Sequence, residues 1–249
     1  MRLSVPSANI SSDPWRERSR AFPLSLPEAC LWLAAAYIIP PYTGALLSGH
    51  GLTLPEHPDL GVQMTCRIGF TVIFVLYFMF ARRGTLTDLG LSGRRLLPDI
   101  AWGFAACLVA GALYLTGAAI VYLATIWWYG DAEKFLGWVR GTPFKDDSWQ
   151  YMLAVCLAYP ILEEIWFRAL MYPPMRLLLS WRVSVVFLAA IFATAHNSTF
   201  PVTQFIGGLA FAYAYEKRQT LIAPIMLHIA GNSALAMLGW ALKEGVVRL

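Results

Sequence analysis

The sequence predicts an all-α fold, a polytopic transmembrane bundle of about seven helices. Of the 249 residues, 58% are hydrophobic and 14% are charged, whereas about 25% of the residues of an average soluble domain are charged. The mean hydropathy of +0.55 is correspondingly high. Apolar segments close to the ~20 residues that cross a bilayer recur along the chain. These observations indicate an integral, multi-pass membrane protein.

Seven apolar segments are candidate membrane spans. In chain order they are 28–48, 61–81, 99–128, 149–173, 182–198, 200–216 and 220–241. The third is long enough to tilt in the bilayer or to extend beyond it. The fifth and sixth are short and lie on either side of NSTFP, which favours a tight helical hairpin. Because proline lacks a backbone N–H, Pro40 and Pro41 are expected to kink the first helix or to end it early.

The chain divides into an amino-terminal segment and one membrane domain. Residues 1–25 are mostly polar and start with a Ser- and Pro-rich stretch. They are predicted to form a flexible cytoplasmic segment and not a cleavable signal peptide. Residues 26–249 are predicted to form a single transmembrane domain, with a motif-bearing core at 149–241.

The basic residues predict how the bundle is oriented. Lys and Arg precede the first segment and follow the second, fourth and sixth, and they are scarcer in the alternate loops. The positive-inside rule therefore places the amino terminus in the cytoplasm. The carboxyl terminus is then expected outside, and only Lys243 and Arg248 argue against that side.

Composition also excludes several functions. The net charge of +4 arises from short basic groups between apolar segments and not from one basic face, so no nucleic-acid partner is expected. The four cysteines are far apart, lie in apolar segments and form no C-x-x-C pair, which argues against disulfides and a cysteine metal site. They are Cys30, Cys66, Cys107 and Cys156.

The fourth segment contains an unusual group of charges, in the stretch ILEEIWFRAL. Glu163, Glu164 and Arg168 would together cost about 9 kcal/mol at the bilayer centre if they were unpaired. These side chains must therefore face the interior of the bundle. Glu164 and Arg168 are separated by four residues on one helix face, in the acid-first order that favours an ion pair.

Glu163 differs from Glu164, because it lies about 100° away around the helix. It has no partner within its own helix, so it is a candidate to take a proton from water. Pro160 leaves the carbonyl of Cys156 without its helical donor. Such irregular backbone is tolerated in a membrane where it borders protein or a wet cavity.

Two later segments also contain buried polar residues. His196 follows Phe192 by four residues, and Asn232 follows His228 by four residues. A glutamate, two histidines and an asparagine that meet in one bundle core resemble a hydrolytic site, in which one group removes a proton from water and others stabilise a developing oxyanion.

Three interpretations of these residues remain open on composition and spacing. The polar core could be a structural salt-bridge network, a path for ions or protons, or a hydrolytic site. The corresponding functions are a non-catalytic scaffold or immunity protein, a proton-coupled transporter, and an enzyme. The absence of an inverted repeat in the sequence argues against the transporter.

The ordered motifs E-E-x-x-x-R, F-x-x-x-H and H-x-x-x-N resemble those of the CPBP family. This family comprises CAAX prenyl endopeptidases and Abi or bacteriocin-processing proteins, and its members are intramembrane glutamic endopeptidases. The resemblance spans residues 163–232 and does not extend to the first three segments. It implies a protease that acts on a membrane-tethered protein or peptide at the lipid bilayer.

The resemblance also implies a role for each motif residue. Glu163 would activate the attacking water with the assistance of His196, while His228 and Asn232 would form the oxyanion hole. Glu164 and Arg168 would form a structural pair, and Phe192 is a supporting residue.

No H-E-x-x-H motif is present, so neither a metal nor another cofactor is expected. The short chain lacks eukaryotic targeting features, which favours a bacterial member in the cytoplasmic (inner) membrane.

Overall fold

The described part of the protein is helical throughout its length. A computed structural model describes residues 14–54, 59–131, 133, 148–196 and 202–243. The helices are α1 (Pro14–Ala21), α2 (Leu26–Leu47), α3 (Leu60–Ala81), α4 (Leu96–Tyr129), α5 (149–178), α6 (Trp181–Thr194), α7 (Val202–Arg218) and α8 (Ile222–Lys243). A single 3₁₀ turn, Gly93–Arg95, leads into α4.

All seven predicted segments correspond to helices, α2 to α8, and this confirms the all-α helical membrane bundle. Three of them, α2, α3 and α4, are long and apolar enough to cross a bilayer. With 34 residues, α4 extends for about 51 Å, well beyond the ~30 Å hydrocarbon core, as the length of the third segment predicts. The shorter α6 and α8 are also apolar.

The first membrane helix does not end early at its two prolines. α2 continues through Pro40 and Pro41 to Leu47, so that alternative is wrong. Gln63 of α3 donates a hydrogen bond from its side chain to the Pro41 carbonyl, at 3.3 Å. A side chain at Gly44 would collide with Gln63, since its Cβ would lie 2.9 Å from Gln63 Nε2. This contact packs α3 closely against α2 beside the prolines, whose missing N–H groups would otherwise bind the carbonyls of Ala36 and Tyr37.

Part of the amino-terminal segment predicted to be flexible is folded, which corrects that prediction for residues 14–21. These residues form α1, and Trp15 is only 2% exposed. Its indole Nε1 donates to the Glu216 carbonyl at 2.8 Å. Arg18 donates to the carbonyls of Gln219 and Asp88, at 2.7 and 2.9 Å. An aromatic anchor and one arginine therefore fix α1 to the ends of other helices, in spite of the polar composition of the segment.

The charged fourth segment forms the irregular helix α5. Two stretches of π-helix, Ala154–Ala158 and Ile165–Met171, interrupt the α-helical hydrogen-bond pattern on either side of Glu163 and Glu164. π-Bulges occur frequently at functional sites, because each one rotates the side chains that follow it relative to the regular helix. The two glutamates lie in the short α-helical stretch Tyr159–Glu164 between them.

Two contacts fix the carboxyl-terminal helices around α5. Gly208 of α7 approaches α6 so closely that a Cβ there would lie 3.0 Å from the Ala189 Cα, which is the close packing expected of small residues in membrane helices. At the other end, the buried Asp99 of α4 accepts hydrogen bonds from Arg218 and, at 2.7 Å, from the Thr220 hydroxyl. These contacts join α6 to α7 and α4 to the end of α7, and the Gly208 carbonyl also accepts a hydrogen bond from Arg168 of α5.

Candidate active site

The two adjacent glutamates of α5 face different surroundings. The side chain of Glu164 is fully buried, while that of Glu163 is 21% exposed. The side chains of consecutive helical residues point about 100° apart, so Glu163 and Glu164 contact different neighbours. Glu164 joins a network of hydrogen bonds, and Glu163 faces two imidazole rings and a cavity.

The predicted ion pair between Glu164 and Arg168 is present and buried. Arg168 Nη1 lies 3.1 Å from Glu164 Oε1, and both side chains are fully buried. Nη2 of the arginine donates to the Gly208 carbonyl at 3.2 Å. The guanidinium also lies over the rings of Phe192 and Phe211, at 4.7 and 5.3 Å from their centroids. This charge is therefore compensated by a carboxylate, a carbonyl and two aromatic faces.

Glu164 also orients His228, which the sequence did not predict. His228 Nδ1 lies 2.9 Å from Glu164 Oε1, the oxygen that accepts from Arg168. The imidazole stacks on Phe211 with ring centroids 4.2 Å apart. Because an ionised carboxylate only accepts hydrogen bonds, Nδ1 carries the proton. Nε2 then points toward Glu163, at 3.7 Å from its Oε2.

His196 is oriented by the end of its own helix. α6 ends at Thr194, and the last carbonyls of a helix lack intrahelical donors. His196 Nδ1 donates to one of them, the Phe192 carbonyl, at 2.7 Å. Its Nε2 consequently faces Glu163 Oε1 at 3.8 Å. The four-residue spacing of F-x-x-x-H is thus the spacing that lets the imidazole cap its helix.

The Phe192 side chain packs among the polar groups of the site. Its ring centroid lies 4.5 Å from that of His196 and 5.8 Å from that of His228. It is 2% exposed and also lies beneath the Arg168 guanidinium. The phenyl ring separates the two histidines from the arginine, and its backbone carbonyl holds one of them.

Asn232 binds the irregular backbone of α5. Its side-chain Nδ2 donates to the Val155 carbonyl at 2.8 Å. In the first π-helical stretch, N–H groups bond to the carbonyl five residues earlier, as Tyr159 does to Ala154. Because Pro160 lacks an N–H, the carbonyl five residues earlier, that of Val155, has no backbone donor. The α-helical spacing of four residues instead predicts a free carbonyl at Cys156. One of the two amide protons of Asn232 satisfies the Val155 carbonyl.

Replacing Asn232 is expected to destabilise the fold as well as alter the site. Asn232→Leu leaves the Val155 carbonyl without a donor, at a cost of about 1–3 kcal/mol. The midpoint of thermal unfolding in detergent should therefore fall below that of the wild type. Ser233→Ala, at the adjacent position, is the control. Equal midpoints for the two variants would show that the bond to Val155 contributes nothing to stability.

A small cavity also borders Glu163. Its volume is about 20 Å³, enough for a water molecule or one small polar group. It is lined by residues of α2, α3 and α5, namely Ala36, Tyr37, Pro40, Arg67, Phe70, Tyr159, Leu162, Glu163 and Trp166. Sequence reasoning missed Arg67, although a single charge in the apolar segment 61–81 was a visible signal.

The structure places six of the seven motif residues in one cluster, while the contact of Asn232 is with the Val155 carbonyl. The Nε2 atoms of His196 and His228 lie 3.8 and 3.7 Å from the Glu163 carboxylate oxygens. Glu164, which is paired with Arg168, contacts His228, and Phe192 packs against both imidazole rings. Asn232 lies one helical turn beyond His228, on α8. Within the described ranges, no group of three or more His, Cys, Asp or Glu side chains is placed to hold a metal ion. The arrangement presents a carboxylate, two imidazoles and a small cavity at one point of the bundle.

A family model matches the motif-bearing part of the chain. Residues 145–234 match the family model described as Type II CAAX prenyl endopeptidase Rce1-like. The matched segment contains all three motifs and excludes α1 to α4. No curated protein and no solved structure matches the chain.

Proposed function

We propose that this chain is an intramembrane endopeptidase. The premise is that its motif-bearing segment belongs to the CPBP family of CAAX-type proteases. The protein hydrolyses a peptide bond of a membrane-associated protein or peptide, such as a CAAX-like end, a carboxyl-terminal sorting segment or a peptide precursor. One observation carries the proposal. Glu163 lies within 3.8 Å of imidazole nitrogens from two other helices, beside a cavity that can hold water.

In the proposed reaction, Glu163 is the general base. Its carboxylate takes a proton from water as the water oxygen attacks the carbonyl carbon of the scissile bond. Because Nδ1 of His196 is occupied by the Phe192 carbonyl, the neutral ring offers only the Nε2 lone pair. It accepts a hydrogen bond from the same water and orients it. When the C–N bond breaks, Glu163 returns the proton to the leaving amine.

The oxyanion of the tetrahedral intermediate requires donors, and His228 and Asn232 supply them in this proposal. Since Nδ1 of His228 already donates to Glu164, Nε2 can donate only when both nitrogens carry protons. Glu164 stabilises that cationic form. Glu164 is therefore a positioning residue that holds the His228 ring by Nδ1, in addition to pairing with Arg168.

The first test of this function is a search for uncut substrates. Cells that lack the chain should accumulate membrane proteins or peptides with unprocessed ends, detected by mass spectrometry of protein termini. The wild-type chain should restore processing, while an otherwise folded Glu163→Gln chain should not. Restoration by the variant would instead favour a scaffold or immunity protein whose polar core is structural.

A second test addresses the glutamic mechanism. We expect the cleavage rate of purified, reconstituted protein to be unchanged by a strong metal chelator, with no stoichiometric metal found by elemental analysis. Loss of cleavage in chelator, with recovery on addition of Zn²⁺, would overturn the glutamic assignment and leave the protease assignment intact. A pH-driven flux across liposomes without cleavage would favour the transporter.

The location of the protein follows in part from the structure. With three long apolar helices, it is an integral membrane protein. We propose a bacterial cytoplasmic membrane with the amino terminus in the cytoplasm, which is supported by the basic residues at alternate helix ends.

A further inference from the structure

Arg67 is a charged residue inside a membrane helix that no motif explains. It lies within the apolar helix α3, Leu60–Ala81. Its guanidinium lies over the rings of Tyr159 and Tyr37, at 5.5 and 6.0 Å from their centroids. The Nε atom is buried and has no hydrogen-bond partner among the described residues. The two aromatic faces stabilise the charge but leave this Nε–H without an acceptor in the part of the chain that the structure describes.

The position of this arginine contrasts with that of Arg168. Both are intramembrane arginines beside a glutamate of α5, yet only Arg168 forms an ion pair with a carboxylate. Glu163 is close enough to Arg67 to interact electrostatically, but among the described basic groups the two imidazoles lie within 4 Å of its oxygens. Charged side chains inside a membrane are costly and mark functional sites when they lack a structural partner.

The chemistry of the group indicates its ligand. A guanidinium presents a planar fork of N–H donors that matches a carboxylate. Arg67 and Glu163 line the same cavity, whose volume of about 20 Å³ holds one water molecule and no whole side chain. A group bound by Arg67 would therefore lie immediately beside the carboxylate that activates water.

We propose that Arg67 binds a carboxylate of the peptide substrate and so positions the scissile bond against Glu163. This inference rests on the proposed function and adds a specificity residue to it. The carboxylate belongs either to the free carboxyl end of the peptide or to an acidic side chain near the cleaved bond. Tyr37, which lines the same cavity, stacks beneath the guanidinium and holds it in place.

Binding is measured without cleavage, in the Glu163→Gln background, so that it does not depend on catalysis. The protein is placed in nanodiscs of zwitterionic lipid, and the probes are fluorescent apolar peptides. One pair differs only in a free carboxyl or an amidated end, and another only in Glu or Gln near that end. Each pair is tested with Arg67→Gln added to Glu163→Gln. Arg82→Gln, at the end of the same helix, replaces Arg67→Gln as the matched control.

With Arg67 present, one of the acidic peptides should bind about tenfold more tightly than its neutral partner. The pair that shows this difference identifies the source of the carboxylate. Adding Arg67→Gln should bring the ratio close to one by weakening the acidic peptide alone, and adding Arg82→Gln should leave it unchanged.

Three outcomes would overturn the inference. In the first, neither acidic peptide is preferred when Arg67 is present. In the second, the preference survives Arg67→Gln. In the third, Arg67→Gln weakens acidic and neutral peptides equally, which would assign Arg67 only to balancing the charge of the site. A preference that depends on Arg67, in a protein whose wild type cleaves no peptide, would support this inference and refute the protease.

Discussion

Glu163→Gln is expected to lower the rate of peptide cleavage by about 10²–10⁴-fold while leaving the fold intact. Glutamine has the shape of glutamate but cannot take a proton from water. The change introduces no charge, and the side chain at this position is partly exposed and borders the cavity. Among the described basic groups, the one nearest to its carboxylate is His228, at 3.7 Å. The loss should therefore appear in kcat and not in the unfolding midpoint.

The measurement is the initial rate of cleavage in proteoliposomes, with the substrate identified by its uncut end. Glu17→Gln, an exposed position on α1, makes the same chemical change away from the site. A Glu163→Gln rate equal to that of Glu17→Gln would refute the general-base role. A loss of rate together with a large fall in unfolding midpoint would instead identify Glu163 as a structural residue.

The largest effect on stability is expected from Arg168→Met. This change leaves Glu164 buried and charged, with only His228 as a partner, and breaking a buried ion pair in this way costs about 3–5 kcal/mol. The hydrogen bond to the Gly208 carbonyl is lost as well. We expect a marked fall in the midpoint of thermal unfolding in detergent and a fall in folded yield. Arg20→Met, an exposed position on α1, is the control.

A double variant separates the structural role of the pair from its role in the site. Glu164→Gln with Arg168→Met removes both charges, so part of the lost stability should return, with a coupling energy of about 0.5–3 kcal/mol. Cleavage should not return, because His228 loses the carboxylate that stabilises its doubly protonated form. Recovery of both properties would show that Glu164 acts on the fold alone. Strictly additive losses would contradict the ion pair.

The helices were predictable because the bilayer imposes their length and apolar composition. Each of the seven apolar segments is a helix, with ends that differ from the prediction by a few residues. Two local predictions failed. The packing of Trp15 orders α1 in spite of the polar composition of its segment, and α2 continues through Pro40 and Pro41 to Leu47.

The site was predictable only as far as the helical periodicity reaches. A spacing of four residues places Glu164 beside Arg168 and His196 beside the Phe192 carbonyl, and both contacts are present. The same periodicity predicted that Pro160 leaves the Cys156 carbonyl without a donor. In the π-helical stretch, the carbonyl without a backbone donor is that of Val155. No local pattern distinguishes a π-helical stretch from an α-helical one here, because the additional residue is accommodated by contacts with α8.

By itself, the sequence determined that this chain is a helical membrane protein, that Glu163 stands apart from the Glu164–Arg168 pair, and that three helices carry polar residues for one site. These properties depend on bilayer thickness and on positions along single helices. Only the tertiary structure decided that Glu164 also holds His228, that both imidazoles turn Nε2 toward Glu163, and that Arg67 lines its cavity. Those contacts join residues dozens of positions apart, and their geometry depends on how the helices pack.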